Sequence, residues 1–592
     1  MEYISEVISN TIKNLYGVDF SPTISPAPKP ELGEYCINVF PLAKSAGKSP
    51  NILAEEIANK LKKEEEIFVS TSATGGYVNF FLTDSIWIKI FEDTSEKKNQ
   101  ENKTIVVDYI GANAGKPMHI GHICTPSIGQ VICNTYRHLG YTVIGDSHYG
   151  DWGGIFGKLI AAGKRETRGN MDILMKNTET IGVNYLLDLY QKATKWIDEE
   201  KTDGKSDFDQ TTRAEFQKLS HGDTENIELW KTFTSISLTE TEKKLDLLNV
   251  RATYNIGESF YEGLGLPRPL DENYPDLEYT MKDIVKELIE KGVATANEDG
   301  SVGVIFPEES KLPSCILQKK DGTGLYLTSD LAAIKYRLTN GWNPEKIIYS
   351  VDVRQQLHLK QAFWIAKSAW PKLTENVEFF HAFNGFIRLK EGAMSTRHGT
   401  AIFLDALIKE GEERTQNILI EKGRTGENSL SQEDIRAITV AAIKYSYLAQ
   451  DREKDVTFDW DKALSFEGHS GPYIQYAYVR AKKISEAGGS SDPQKSQRVD
   501  GGISASDKLL IQTLAGFDEA VMNTAKTYKP HHIALYAYEL AGNFNSFYVH
   551  TPKILDEENE SIRAFRLTMI QKTKQTLEKS FELLGIHMPS EM

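Results

Sequence analysis

Four residues close together have the types and spacing for phosphate chemistry: Lys116, His119, Gly121 and His122, in the run GKPMHIGH from Gly115 to His122. Two imidazoles three positions apart share one face of a helical turn. With an ammonium group just ahead of them, they could meet charge that builds on phosphate oxygens in a transition state. Gly121 has no side chain, so a flat base could lie against its backbone. The same residues also fit a capped helix whose histidines pack or bind a metal. The metal version needs a third ligand, and none lies nearby in the sequence.

The flanking residues say what positions this turn. Thr104 to Val107 is a β-branched run suited to a buried parallel strand. Gly111, Asn113, Gly115 and Pro117 then break any regular element. From His119 the apolar positions Ile123, Ile128, Val131, Ile132, Tyr136 and Leu139 recur at helical spacing, Gly140 ends the run, and Tyr141 to Ile144 reads as a second strand. Strand, glycine-bearing turn, helix and strand make the mononucleotide-binding half of a doubly wound α/β sheet. A helix starting there offers free N–H groups and a positive dipole end to phosphate. Neither GxGxxG nor GxxxxGK[ST] occurs at this turn.

PMHIGH resembles the HIGH signature of class I aminoacyl-tRNA synthetases. Its flanks, VDYIGANAGKPMHIGH and HYGDWGGIFGKLI, resemble the arginyl members of that class. Gly392 to Gly399 (GAMSTRHG) resembles the second class I signature, KMSKS, in an MSxRxG form. Alone it would pass as a surface turn; paired in this order with PMHIGH it carries more weight. The resemblance extends over nearly the whole chain. GEYCINVFPLAK and GGYVNFFL are similar to the N-terminal tRNA-elbow domain of arginyl enzymes. GPYIQYAYVRAKKI, ALYAYELAGNFNSFY and the ending LLGIHMPSEM are similar to their helical anticodon-binding domain.

The chain therefore reads as a Rossmann-like catalytic core with a small N-terminal α/β domain and an all-α C-terminal domain. The expected limits are 1–91 for the first domain, 92–103 for a polar linker, 104–430 for the core with a helical insertion at about 161–250, and 431–592 for the helical domain. A length of 592 residues fits several cores, and 40% apolar with 26% charged residues is the composition of a soluble protein. Cys36, Cys124, Cys133 and Cys315 are scattered, which argues against a disulfide framework or zinc knuckle and fits a reducing, cytoplasmic setting. No apolar run reaches membrane-spanning length and no signal peptide is evident. A net charge of −15 does not by itself suggest a nucleic-acid partner, although a local basic surface would suffice.

The resemblance implies an arginine–tRNA ligase using ATP with Mg²⁺, with L-arginine and arginine tRNA as the other substrates, expected as a monomer with no membrane partner. It implies that His119 and His122 stabilise the α-phosphate, that Gly121 admits the adenine, and that Met394, Ser395 and Arg397 belong to a loop closing over the triphosphate. That loop has Ala393 and Thr396 where KMSKS has lysines, so Lys116 is expected to supply the missing charge; otherwise it is a solvated loop lysine. A planar cationic substrate calls for carboxylates, because a bidentate pair distinguishes guanidinium from ammonium. The resemblance puts Asp108 and Asp330 at the guanidinium with Tyr326 beside them, and Asn113 and Gln355 at the α groups. From residue type alone, Asp330 reads as a helix cap. Tyr77 and Asn79 would meet a D-loop base and Met592 the anticodon, although Tyr77 also fits a strand residue in the core. Other readings of the HxGH turn are another class I synthetase, a nucleotidyltransferase, or a tRNA-binding module with an inactive core.

Overall fold

The computed structural model describes residues 1–29, 31–93, 103–201, 206–268, 273–320, 322–390, 403–426, 429–489 and 502–592. It divides into two compact units. One comprises Met1–Glu96, Arg480–Asp518 and Glu539–Thr576; the other comprises Lys97–Val479, Glu519–Tyr538 and Leu577–Met592. The segment 431–592 thus contributes to both.

In the first unit, β1 (Ile24–Pro26), β2 (Tyr35–Asn38), β3 (Phe68–Thr74) and β4 (Tyr77–Leu82) form an antiparallel sheet in the order β1-β2-β4-β3. Helices Glu2–Tyr16 and Pro50–Leu61 bury Ile4, Ile8 and Ile12 and Leu53, Ile57 and Leu61, as their spacing requires. The strand β3 has no sequence signal, because FVSTSAT lacks an alternating apolar face. Helix Ala505–Ala515 belongs to this unit, and its Lys508 reaches Glu34 at 3.1 Å and Asp84 at 3.3 Å.

The second unit holds the parallel sheet. Its strands in chain order are β5 (Thr104–Ile110), β6 (Thr142–Tyr149), β7 (Tyr254–Gly257), β8 (Thr295–Ala296), β9 (Val302–Val304), β10 (Cys315–Gln318), β11 (Pro344–Tyr349), β12 (Glu378–His381), β13 (Ile387–Leu389) and β14 (Val456–Phe458). Five of them pair in parallel in the order β12-β11-β5-β6-β7. The chain runs outward from β5 through β6 to β7, then returns to lay β11 on the other side of β5. The strand order reverses between β5 and β11, so the loops leaving their carboxyl ends diverge and open a crevice.

Residues Ile105 to Ile110 of β5 are all buried, as expected of a parallel strand covered on both faces. Helix Cys124–His138 lies so close on β5 that any side chain at Gly129 would collide with the Tyr109 ring. Beyond β6 come four insertion helices: Met171–Ile181, Val183–Glu199, Asp207–Ser220 and Thr224–Leu247. They close around Leu186, Leu189, Trp230 and Phe233, and Asn170, Ser206 and Asp223 cap three of them. Among the described residues no helix is long and apolar enough to cross a membrane.

Candidate active site

The turn after β5 is not the continuous helix that its spacing suggested. His119 is extended, Ile120–His122 is a short 3₁₀ turn, and the α-helix begins at Cys124. The turn is held by its own histidines. His119 Nδ1 accepts from the Gly121 N–H at 3.1 Å, and His122 Nδ1 accepts from the His119 N–H at 3.2 Å. The two rings stack with centroids 3.7 Å apart. Because both Nδ1 atoms accept, each neutral ring carries its proton on Nε2. Burial lowers the pKa of His119, and burial together with His119 and Lys116 lowers His122 to about 4. At neutral pH the turn therefore offers two uncharged Nε2–H donors.

A Cβ at Gly121 would sit 2.9 Å from His119 Cε1, so glycine is needed first for the His119 ring to fold back over the turn. Gly115 takes a left-handed φ of +79° and donates its N–H to Ser237 Oγ of the insertion at 2.9 Å. Lys116 Nζ lies 4.3 Å above the ring of Tyr190, also on the insertion. Met394, Ser395 and Arg397 lie outside the described residues. The segment that follows them is tied to the histidine turn: Leu404 N–H donates to Met118 O at 3.1 Å, and His119 forms a bridge with Phe403.

The two candidate specificity acids have different surroundings. Asp108, Asp146 and Tyr349 form a row across β5, β6 and β11, because the strand register places Asp108 opposite both of the others. Two adjacent buried carboxylates require a cation. Arg337, with a fully buried side chain, supplies it: its Nε donates to Asp146 Oδ2 at 2.7 Å, its Nη2 to Asp108 Oδ2 at 2.8 Å and its Nη1 to Tyr349 Oη at 2.9 Å. Burial opposes that charge, but Asp146, Tyr349 and Asp108 hold Arg337 protonated. Asp108 thus meets the chain's own guanidinium through its Oδ2.

Asp330 is no helix cap. Leu325 is the N-cap of helix Tyr326–Thr339, and Asp330 lies inside the helix. Its Oδ2 is hydrogen-bonded to His358 Nε2, and its Oδ1 lies 3.5 Å from His148 Nε2. Burial opposes its ionisation, but the two imidazoles outweigh it and keep Asp330 below the usual carboxylate range. Tyr326 opens the same helix and is 68% exposed. Asn113 is exposed in the turn after β5 and bridges to Gly150; Gln355 is exposed at the end of the 3₁₀ turn after β11.

One acid had no sequence signal. Glu258 opens the turn after β7, and burial with the charges of Asp151, Asp330 and Glu262 pushes it up to about 9. Its neighbour is pinned by Asp151 of the GDWG block, whose carboxylate accepts from Ser259 N–H at 2.9 Å and Ser259 Oγ–H at 2.7 Å. Burial raises Asp151 to about 6 despite those bonds. His148 and His358 were also missed as site residues, although His148 opens the HYGDWG block. Among the described residues no three His, Cys, Asp or Glu side chains group as metal ligands.

The residues expected at tRNA divide as well. Tyr77 is 41% exposed and meets Phe40 edge-on, with ring centroids 5.9 Å apart. Asn79 is only 2% exposed, under the Gly33 loop, and its amide nitrogen has no partner among the described residues. Met592 is 6% exposed, with its terminal oxygen bound by Arg424. Neither of these two side chains lies at the surface.

A parallel sheet with an HxGH turn at its first crossover is the arrangement of class I aminoacyl-tRNA synthetases. Residues 88–460 match the family model for the catalytic domain of tRNA synthetases class I (R). Residues 2–82 match the arginyl-tRNA synthetase N-terminal domain and 474–592 the DALR anticodon binding domain. The chain belongs to the arginyl-tRNA synthetase family. It is 34% identical to an arginine–tRNA ligase of Fusobacterium nucleatum, covering 100% of this chain and 99% of that protein. It is 32% identical to one of Clostridium acetobutylicum, with the same coverage of 100% and 99%. Two solved arginyl-tRNA synthetases share the fold at a TM-score of 0.75. They are from Plasmodium falciparum (24% identity, covering 100% of this chain and 99% of that one) and Thermus thermophilus (22%, covering all of both).

Proposed function

We propose that this chain joins L-arginine to the 3′ end of arginine tRNA at the expense of ATP. The arginine carboxylate attacks the α-phosphorus and pyrophosphate leaves; a terminal ribose hydroxyl then attacks the arginyl carbonyl and AMP leaves. Both steps depend on positioning and charge neutralisation more than on a protein nucleophile.

The observation that carries the reading is the state of Asp330. Its partners are imidazoles rather than a guanidinium, and it shares a helix with the exposed ring of Tyr326. Glu258, whose ionisation Asp330 opposes, supplies a second carboxyl for a planar cation. Neutral Nε2–H donors on His119 and His122 suit the α-phosphate. Asn113 and Gln355 serve the amino acid's α groups. Lys116 leaves Tyr190 for the triphosphate, which Ser395 and Arg397 also serve. ATP enters with Mg²⁺. Residues 1–91 take the tRNA elbow through Tyr77, 104–430 perform activation and 431–592 read the anticodon. The protein works in the cytoplasm as a monomer.

Arginine-dependent pyrophosphate exchange with the Asp330→Asn variant tests the pocket. Its kcat/KM for arginine should fall by about 2–4 kcal/mol in transition-state terms, the scale of a charge-assisted bidentate pair, with the KM for ATP little changed. An unchanged KM for arginine would place the substrate elsewhere.

A further inference from the structure

His148 and His358 approach the Asp330 carboxylate from separate elements. His148 projects from β6, and its ring is backed by the fully buried Tyr261 at 5.6 Å between centroids. His358 stands in the first turn of helix Gln356–Ala369. Each imidazole engages a different oxygen: His358 Nε2 bonds Oδ2, and His148 Nε2 lies 3.5 Å from Oδ1 and 3.4 Å from Ser329 Oγ. The three side chains are partly buried, at 18% exposure for Asp330, 11% for His148 and 26% for His358. His148 Nδ1 has no hydrogen-bond partner among the described residues, so the contacts of this ring lie on its Nε2 side.

A carboxylate hydrogen-bonded on one oxygen, with a second imidazole 3.5 Å from the other, is restrained about its last bond. Its remaining lone pairs then lie in one fixed plane. A guanidinium needs that plane, since its two parallel N–H bonds must meet both oxygens at once. An ammonium group does not, because its three donors swivel around a point charge.

We propose that His148 and His358 are positioning residues that fix the plane of the Asp330 carboxylate, and that this fixed plane separates arginine from lysine. The proposal rests on the reading of Asp330 as the guanidinium ligand. It adds that selectivity belongs to the three residues together.

The test is pyrophosphate exchange with arginine tRNA present, measured against arginine, lysine and ATP for the wild type, His358→Ala, His358→Gln, His148→Ala and Asp330→Asn, after circular dichroism has shown each variant folded. Glutamine can place an amide N–H near the position of Nε2, whereas alanine cannot. The His358→Ala enzyme should show an arginine KM raised about tenfold, the scale of one charge-assisted hydrogen bond, an ATP KM within about twofold, and a preference for arginine over lysine reduced about tenfold. His148→Ala should shift the same quantities less, and His358→Gln should recover part of the loss. Three results would overturn the proposal: an arginine KM unchanged or lowered in both alanine variants, an ATP KM raised equally, or no recovery with glutamine. An effect of Asp330→Asn without any effect of the histidine variants removes the positioning role alone. No effect of Asp330→Asn removes the pocket assignment and this proposal with it.

Discussion

Helix Tyr326–Thr339 serves two carboxylate sites two turns apart. At Arg337, the chain's own guanidinium lies across Asp108, Asp146 and Tyr349 with no exposed atom. At Asp330, two histidines hold a carboxylate near an exposed tyrosine. Both sites are built on carboxylates, but one is paired with a guanidinium and the other with imidazoles. The first site lies on paired strands inside the sheet, where unpaired carboxylates would be too costly, and the fold supplies the cation itself. In the second, the Asp330 side chain is 18% exposed and its partners are imidazoles, not a guanidinium.

The largest effect should come from breaking the filled site. Replacing Arg337 by Met leaves Asp108 and Asp146 buried without a cation. Unfolding in urea should show a loss of about 3–5 kcal/mol, the usual cost of stranding a buried charge. Adding Asp108→Asn and Asp146→Asn should return much of it, because neutral amides remove the repulsion. A single Arg337→Met variant of normal stability would mean that the row of acids tolerates its own charge.

Lys116→Ala should touch neither guanidinium site, which makes it a control for the comparison. Adenylate formation in a single turnover should slow roughly a hundredfold, the scale of one lost electrostatic contact, with arginine KM unchanged. A normal rate would return Lys116 to the role of a ring-bound surface lysine on Tyr190.

A smaller effect separates the open site from the filled one by pH. Burial and neighbouring acids push Glu258 up to about 9, so with no cation beside it its carboxyl is largely protonated at pH 7.5. A guanidinium favours the ionised form, so binding arginine should release a proton. Arginine affinity should therefore rise with pH between about 6.5 and 8.5 and flatten above Glu258's own titration, by up to about tenfold per pH unit where a full proton is released. Titration calorimetry in buffers of different ionisation heat reads the proton directly. Glu258→Gln should abolish the release and weaken arginine binding about tenfold, the worth of one charge-assisted hydrogen bond. If wild type and variant release the same proton, Glu258 is not its source.

The sequence by itself determined what is local. The run from Thr104 to Ile144 specified strand, turn, helix and strand because its periodicity and its glycines act on neighbouring residues. PMHIGH lies within one turn, so its histidine contacts form between residues two or three apart. The helical character of about 161–250 was legible for the same reason, since a helix's contacts are local. Only the tertiary structure could sort the acids. The resemblance gave Asp108 and Asp330 one role, yet strand register sets Asp108 beside Asp146 and under Arg337, a residue 229 positions away. His148 and His358 meet at Asp330 from β6 and from the helix after β11, and Glu258 gains its high pKa from charges brought by other elements. Side-chain ionisation and occupancy depend on through-space neighbours and burial, which one-dimensional spacing does not encode.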